Sequence, residues 1–351
     1  MGKIENHFKN YNIFVSNKIK EYNQFKNPKI SIIIPIYNRK SFLIRFLRNI
    51  QFQHFQKLEI ILVDDCSIDN SIELIKYYIK KDNRIIIIKQ KKRTGTFFTR
   101  NIGVLYAKSK YIFIPDPDDI FNKNILSICY KYSEKFNYDI IRFSVYQGNG
   151  IINDHVYNVN ELLNIKIIQP KLLTSLFYVN NELGKNDFNI YNKMIKKEIY
   201  IKSLNSLNRF YLKIYMTYFE DQLMNLILYR TAKSIYFLNK IGYYYIRNSM
   251  SITEQDFKLN KLKTIFKFLY LKFIFEYSKN NKYEKDMVNH QIILILRNSI
   301  LYFSDDNYNF FLKTINIFLQ SKFITNSNKY ALMYIKKNLL NKNKKISNII
   351  I

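Results

Sequence analysis

Short runs that are wholly apolar alternate with helical patterns along the first third of the chain. Residues 32–34 and 60–63 are apolar at consecutive positions, which is typical of strands that are covered on both faces. Residues 41–53 and 71–81, which follow such runs, carry apolar side chains at helical spacing. This alternation predicts an α/β fold with a mostly parallel sheet and helices on both faces. The predicted strands lie in residues 29–38, 58–65, 84–90 and 110–119, and a third helix lies in 99–107.

The pattern becomes less regular downstream of residue 139. Further strands are predicted at residues 139–146 and 234–246, because both segments are rich in β-branched and aromatic residues. Helices are predicted at residues 192–202 and 221–229 from their apolar spacing. We therefore expect the α/β pattern to continue to about residue 254.

Long amphipathic helices are predicted beyond Phe257, where apolar residues recur at helical spacing and lysines lie between them. The apolar stripe has two interpretations. It packs as core with solvated charge outside, or it lies on an anionic membrane surface. The predicted organisation is a basic N-terminal arm at residues 1–28, an α/β domain at 29–254 that divides at residue 120, and a helical, basic C-terminal region at 255–351.

The composition leaves the nature of the partner open. A formal net charge of +29 favours an anionic partner such as nucleic acid, an acidic membrane surface or a phosphorylated substrate. The same charge also follows from the codon usage of an AT-rich genome, because lysine is abundant while Gly (7), Pro (5) and Trp (0) are scarce. Two cysteines and four scattered histidines exclude a disulfide scaffold and a transition-metal cage.

The N-terminus indicates a cytoplasmic chain. The segment MGKIENHFKN lacks the apolar core of a secretory signal, and Asn6 stands where a myristoylation motif requires Ser or Thr. No run reaches the roughly 18 uncharged apolar residues that span a bilayer. Peripheral contact of the basic C-terminal region with an anionic membrane remains an open alternative.

Acidic and polar residues follow three predicted strands at the point where each strand ends. These segments are residues 35–38 (PIYN), 64–65 (DD) and 116–119 (DPDD). In open α/β sheets, ligands bind in the crevice at the carboxyl ends of the strands. The sequence therefore predicts that the three segments line one crevice.

The DPDD segment is a candidate metal site. Three carboxylates within four residues repel one another unless a cation compensates, and oxygen ligands suit a hard divalent ion such as Mg²⁺ or Mn²⁺. Such an ion would bridge a diphosphate. The alternative is a solvated acidic turn that caps the helix predicted near Asn122. The position of the segment directly behind a strand favours the metal interpretation.

Seven motifs follow one another between Lys29 and Thr253. They are SIIIPIYN, VDDCSIDNS, RTGTFFTRNIG, YIFIPDPDD, NKMIKKEIY, FEDQLMNLILYR and YYYIRNSMSIT. Together they resemble the inverting GT-A glycosyltransferases of family 2. The resemblance implies a Rossmann-like fold with a nucleotide-binding half at residues 29–120 and an acceptor half at 121–254.

The same resemblance implies a metal-dependent transfer of one sugar from a nucleotide-sugar, with UDP as the expected nucleotide. The acceptor is expected to be a hydroxyl of a glycan or of a lipid-linked molecule, in glycan, polysaccharide or glycolipid synthesis. Because the chain contains no Trp, it lacks the Gln-x-x-Arg-Trp signature of the processive synthases. A single-addition transferase is therefore expected.

Each residue that matches a family motif takes an implied role. Pro35 and Tyr37 line the nucleobase pocket, Tyr37 by stacking, and Asp65 accepts a hydrogen bond from the uracil ring. The full donor-binding set is Pro35, Tyr37, Asn38, Asp65, Arg93, Arg100 and Asp116. The resemblance further implies that Asp118 is the ligand of Mn²⁺ or Mg²⁺ and that Asp221 is the catalytic base. Supporting roles are implied for Asp119, Glu220 and Arg247.

A base at Asp221 suits inversion by a single displacement. The base must lie on the acceptor side, opposite the leaving diphosphate, and a carboxylate that is half shielded from water can have its pKa tuned for proton removal. From the residues alone, the acidic first turn of a helix is the better explanation of Glu220 and Asp221, because acidic first turns are common. The role of Asp221 therefore depends on the resemblance.

Two residues depart from the usual family pattern. Family members often carry Gly where this chain has Cys66, and Ala where it has Thr99. These departures put the shapes of the two loops in question. Pro117 fixes φ inside the acidic turn but removes no carboxylate.

Two other functions remain as alternatives. A basic, aromatic-rich chain is also typical of a nucleic-acid-binding protein, but the acidic sites at the strand ends would repel phosphates. No specific nucleic acid is therefore expected as a partner. A catalytically inactive, membrane-associated scaffold is the other alternative, and the intact Asp65, Asp118 and Asp221 argue against it.

Overall fold

The computed structural model of the protein describes residues 27–148, 189–207 and 220–246, three short strands outside these ranges, and isolated helical positions between 315 and 337. The statements below concern these residues. The amphipathic helices predicted beyond Phe257 lie outside the described residues, apart from those isolated positions. Arg247 lies outside them as well.

The described strands form one mixed sheet. Its long strands pair in parallel, and most of its short strands pair antiparallel with them. Ile13–Val15, within the predicted N-terminal arm, adds a strand to one edge. The strands are β1 Ile13–Val15, β2 Ile30–Ile36, β3 Leu58–Asp64, β4 Ile85–Gln90, β5 Tyr111–Phe113, β6 Ile120–Phe121, β7 Ile140–Gly148, β8 Val156–Tyr157, β9 Ile167–Ile168, β10 Lys193–Lys196 and β11 Ile235–Ile246.

Helices cover both faces of the sheet. The first, second and fourth helices pack with alternate residues of β2, including Ile32 and Ile34, in the main apolar core. The third helix packs on the opposite face of β2 and β3, and it also contacts the fifth and sixth helices. The helices are α1 Lys40–Gln51, α2 Ser71–Ile79, α3 Thr96–Tyr106, α4 Ile125–Phe136, α5 Lys197–Ser206 and α6 Glu220–Thr231. The predicted α/β fold is thus confirmed.

The strand order reverses beside β2. Strands β3 and β4 lie successively on one side of β2, and the chain then returns to place β5 on the other side. A crevice at the carboxyl ends of the strands forms at such a reversal. The topology therefore positions the segments after β2, β3 and β5 around one crevice.

The helix predicted at residues 192–202 is wrong in its first part. Residues Lys193–Lys196 form β10, which pairs antiparallel with both β5 and β7, and the helix α5 begins only at Lys197. Helical propensity is a weak preference, and pairing on both sides of a strand overrides it. Similarly, α3 begins at Thr96, three residues before the predicted start.

The close packing of α3 on the sheet depends on Gly103. A Cβ atom added at this position would lie 2.3 Å from Ile33 Cγ2 and 3.1 Å from Val63 Cγ2, and both residues are fully buried. Overpacking of this kind costs about 1–3 kcal/mol. We expect Gly103→Ala to lower the free energy of unfolding by that amount in urea titrations. Lys131→Ala, at an exposed position of α4, should change it by less than about 0.5 kcal/mol; equal effects would contradict the packing assignment.

The chain divides into two compact units, Met1–Thr174 with Lys185–Asn248, and Ser175–Gly184 with Ser249–Ile351. All of the site residues discussed below belong to the first unit. Within the described part of the chain, no helix has the length and the apolar character needed to cross a membrane.

Candidate functional site

Tyr37 and Arg93 are in contact beyond the carboxyl end of β2. Tyr37 follows the carboxyl end of β2, and the guanidinium carbon of Arg93 lies 3.7 Å from the centroid of its ring. A cation over an aromatic face at this distance is attracted by the ring quadrupole. Pro35 lies deeper, inside β2 and opposite Val63 of β3. The structure thus presents Tyr37 at the crevice and keeps Pro35 in the sheet.

Asn38 joins the loop after β2 to the loop after β3. Its backbone N–H donates to Ser67 Oγ at 3.0 Å, and its Oδ1 accepts from the backbone N–H of Ile68 at 2.9 Å. Cys66 adopts φ = 65°, in the left-handed region that favours glycine. The backbone conformation at Cys66 is therefore one that glycine, the residue often found here in the family, adopts easily.

Asp65 is buried, and its carboxylate fixes the loop before α3. Oδ1 accepts hydrogen bonds from the backbone N–H of Thr94 at 2.6 Å and from Gln90 Nε2 at 3.3 Å, while Oδ2 accepts from the N–H of Gly95 at 2.9 Å. The Thr99 hydroxyl accepts from Gln90 Nε2 at 2.9 Å and so extends this network. Asp65 therefore organises the loop that carries Arg93, a function that the motif did not indicate.

Asp64 belongs to the DD segment that was predicted to line the crevice, but it was given no role of its own. It is the last residue of β3, and its Oδ1 accepts from the N–H of Ser67 at 3.1 Å. Burial raises the pKa of the Asp64 carboxyl, against the lowering effect of the hydrogen bond from Ser67. Its position at the end of β3, directly before Asp65, was the feature of the sequence that pointed to this residue.

The three carboxylates of the acidic turn do not share one environment. Asp119 is 1% exposed, and its two oxygens accept from the Tyr243 hydroxyl and from the backbone N–H of Ile246, both at 2.8 Å. Burial raises the pKa of Asp119 well above its usual value, and the charges of Asp118 and Asp116 act in the same direction. Asp119 therefore anchors β11 and does not line the crevice with the other two.

Tyr243 holds the acidic turn in place. Its hydroxyl donates to Asp119 and accepts from the backbone N–H of Asp116 at 3.0 Å, so one side chain fixes both ends of the turn. Arg45 of α1 donates to the backbone carbonyl of Asp118. Neither residue was assigned to the site from the sequence, since Arg45 lies in no motif and Tyr243, the first residue of the YYYIRNSMSIT motif, was given no role. They leave Asp116 and Asp118 partly exposed.

Arg100 connects the acidic turn after β5 to the start of α6. Its Nη2 donates to Asp116 Oδ1 at 2.7 Å, and its Nη1 donates to Asp221 Oδ1 and to Glu220 Oε1, the latter at 3.3 Å. The guanidinium is buried, while the Asp221 side chain is 21% exposed. The structure thus brings together the predicted residues Arg100, Asp116, Glu220 and Asp221.

The cluster shifts the pKa values of Arg100, Asp221 and Glu220. Burial alone would lower the pKa of Arg100, but the charges of Asp221, Asp116 and Glu220 raise it. Burial also raises the pKa of Asp221, against the lowering effect of Arg100. For Glu220, burial and then the charge of Asp221 raise the pKa. Shifted carboxylates in a crevice are typical of catalytic sites.

The residues of the acidic turn fit a cation that is shared with a substrate. Among the described residues, no group of three or more His, Cys, Asp or Glu side chains is placed to hold a metal ion. Asp119 is hydrogen-bonded to Tyr243 and Asp116 is paired with Arg100, while Asp118, the predicted ligand, is partly exposed. Mg²⁺ is commonly held by one or two carboxylates together with substrate phosphates. A diphosphate would therefore have to complete the coordination.

Comparison with known proteins identifies the family of the chain. Residues 31–204 match the family model described as glycosyl transferase family 2. The glycosyltransferase GlyG of Streptococcus pneumoniae serotype 4 is 30% identical over 245 residues, which are 67% of this chain and 76% of GlyG.

Two solved structures share the fold. S. aureus TarS 1-349 in complex with UDP-GlcNAc aligns with a TM-score of 0.59 and 17% identity, covering 89% of this chain and 88% of that chain. The mannosyltransferase PcManGT of Pyrobaculum calidifontis, in complex with GDP-Man and Mn²⁺, aligns with a TM-score of 0.51 and 11% identity, covering 96% and 92%. At these identities the comparison establishes the fold alone.

Proposed function

Because the chain belongs to glycosyltransferase family 2, we propose that it transfers one sugar, with inversion, from a UDP-sugar to a hydroxyl of a glycan or lipid-linked acceptor. The observation that carries this proposal is the guanidinium of Arg100, which contacts Asp116 behind β5 and Asp221 at the start of α6. A single displacement requires a donor-binding turn and a base on opposite sides of the reacting carbon.

Asp221 acts as the general base in this proposal. Its carboxylate takes the proton of the acceptor hydroxyl while the acceptor oxygen attacks the anomeric carbon. The bond from that carbon to the diphosphate oxygen breaks on the opposite face, and the electron pair leaves with UDP. Asp221 suits this role because its side chain is partly exposed, whereas the Glu220 side chain is 11% exposed.

The acidic turn serves the leaving group. Asp118 and the diphosphate would hold a divalent cation, which supplies stabilisation for the negative charge that develops on UDP. Arg100 holds the Asp116 carboxylate and the Tyr243 hydroxyl holds its backbone N–H, and this fixed position supports a role for Asp116 in donor binding. PcManGT, a protein of this fold, is in complex with both GDP-Man and Mn²⁺. This supports the assignment of a divalent cation to the acidic turn.

A donor screen tests the proposal directly. Hydrolysis and transfer would be measured for UDP-, GDP- and other sugar nucleotides, each with Mn²⁺, with Mg²⁺ and with EDTA. We expect release of UDP only when a divalent cation is present. Absence of turnover with every sugar nucleotide would overturn the proposal.

Uridine should be preferred over cytidine and guanosine. The carboxylate of Asp65 can accept a hydrogen bond from the imide N–H of uracil, whereas cytosine presents an acceptor at the matching position. An unmatched buried polar group costs about 1–3 kcal/mol, which is roughly a 5- to 150-fold loss of affinity. Competition of UDP, CDP and GDP against a labelled UDP-sugar measures this preference.

Two observations bear on the base preference. TarS, which shares the fold, binds UDP-GlcNAc, and PcManGT binds GDP-Man, so the fold alone selects neither base. Specificity must then come from side chains such as Asp65 and Tyr37. If CDP or GDP competes better than UDP, the assignment of Asp65 to the nucleobase is wrong.

A further inference from the structure

One buried guanidinium is shared by three carboxylates in this protein. Arg100 is 5% exposed, and its two terminal nitrogens donate to Asp116, Glu220 and Asp221. These acids come from two segments that lie 16 and about 120 residues further along the chain. An arginine that served only to bind a donor phosphate would not need to be buried among three carboxylates. The family resemblance had implied only that Arg100 lies near the donor.

The two oxygens of Asp221 are not equivalent. Oδ1 is the oxygen that accepts from Arg100 Nη1. Among the residues that the structure describes, Oδ2 accepts a long hydrogen bond, 3.5 Å, from the backbone N–H of Ile190. A charge-assisted bond to a guanidinium is much the stronger of the two and withdraws more electron density. Oδ2 is therefore the more basic oxygen and the one suited to receive a proton.

We propose that Arg100 is the positioning residue of the catalytic base: it holds Asp221 by Oδ1 and presents Oδ2 to the acceptor hydroxyl. This inference rests on the proposed function. In the step concerned, the O–H bond of the acceptor breaks, the proton passes to Oδ2, and the oxygen bonds to the anomeric carbon as the bond to the diphosphate breaks. Arg100 remains charged throughout and takes no proton.

The geometry of arginine suits this task better than that of lysine. A guanidinium is planar and presents its donors in a rigid fork, whereas an ammonium is a single rotating point charge. Through that fork, Arg100 fixes Asp116 of the donor turn and Asp221 of the base relative to each other. A misplacement of about 1 Å between reacting groups costs roughly 100-fold in rate.

The backbone around Arg100 is itself held firmly. Asn101 is fully buried, and its Oδ1 accepts from the Tyr200 hydroxyl of α5 at 2.9 Å. Gly103 brings the same helix into close contact with the sheet. The guanidinium therefore extends from a rigid helix, as precise positioning of a base requires.

A double-mutant cycle with Asp221→Asn tests the inference. Arg100→Gln should lower kcat by roughly 100-fold in the native enzyme, since Asp221 loses its orientation. In the Asp221→Asn background the same change should cost less than about 3-fold, because no base remains to be positioned. Losses that multiply would overturn the inference while leaving the proposed function intact. A native chain without any transfer activity would overturn both.

UDP affinity separates positioning from donor binding. Calorimetry should show that Arg100→Gln weakens UDP binding far less than it lowers kcat. If the affinity falls as much as kcat, Arg100 is a donor-binding residue and the inference is wrong. Arg100→Lys, which keeps the charge, should give a kcat between those of the native enzyme and Arg100→Gln, and the cycle can be run with it if the Gln variant does not fold.

A buried ion pair elsewhere in the same unit provides the matched control. Lys196 Nζ lies 2.7 Å from Asp139 Oδ1, and both side chains are less than 10% exposed. Asp139→Asn should lower the melting temperature but leave kcat within about 2-fold of native. If it lowers kcat as much as Arg100→Gln does, the effect at Arg100 is one of stability and the inference fails.

Discussion

Replacing Asp221 by Asn is expected to lower kcat by roughly 10²–10⁴-fold and to leave UDP affinity almost unchanged. Asn keeps the size of the side chain and can still accept one hydrogen bond, but it cannot take the proton of the acceptor hydroxyl. Donor affinity should survive because Asp221 lies at the start of α6, outside the set of residues proposed to bind the donor. Acceptor-dependent turnover, UDP calorimetry and a melting curve together measure the effect.

Glu220→Gln is the matched control for that substitution. Glu220 contacts the same guanidinium nitrogen at 3.3 Å, but its side chain is 11% exposed against 21% for Asp221. Adjacent residues of a helix point about 100° apart, so only one of them can face the acceptor. Glu220→Gln should therefore cost much less turnover. If it proves the more damaging at unchanged stability, the base is Glu220; if neither change matters, the mechanism is wrong.

The sheet was predictable because its signals are local. Runs such as residues 60–63 are apolar at every position, and the strand they predict matches Leu58–Asp64. The strand at Lys193–Lys196 was missed because its four residues have no such pattern. It exists because β5 and β7 both offer it hydrogen bonds, and pairing between distant segments cannot be read from a short window.

The members of the proposed site were selected from the sequence, but their contacts could not be. Position after a strand identified Asp65, Asp116 and Asp118, and the family motif added Asp221. Nothing in the sequence indicated that Arg100 would pair with residues about 120 positions away. The different environment of Asp119 also depends on a distant partner, since Tyr243 is separated from it by 124 residues. Side-chain partners of this kind appear only when the strands are assembled.

Turnover should fall by about three orders of magnitude when divalent cations are removed with EDTA. A cation at the leaving diphosphate is worth several kcal/mol of transition-state stabilisation, and each 1.4 kcal/mol is about tenfold in rate. Without it, the carboxylates of Asp116 and Asp118 meet a diphosphate of the same sign. Titration of Mn²⁺ into the EDTA-treated enzyme should restore turnover.

Asp118→Asn and Asp119→Asn distinguish a metal ligand from a structural acid within the same turn. Asp118 is partly exposed, whereas both oxygens of Asp119 are engaged by Tyr243 and by the backbone of Ile246. Asp118→Asn should therefore raise the Mn²⁺ concentration needed for half-maximal turnover by at least about tenfold, because one anionic ligand becomes neutral. Asp119→Asn should lower the melting temperature and leave that concentration within about 2-fold of native. Two results would show that the acidic turn does not hold the cation through Asp118. One is full turnover of the native enzyme in EDTA. The other is a higher Mn²⁺ requirement in the Asp119→Asn variant without one in the Asp118→Asn variant.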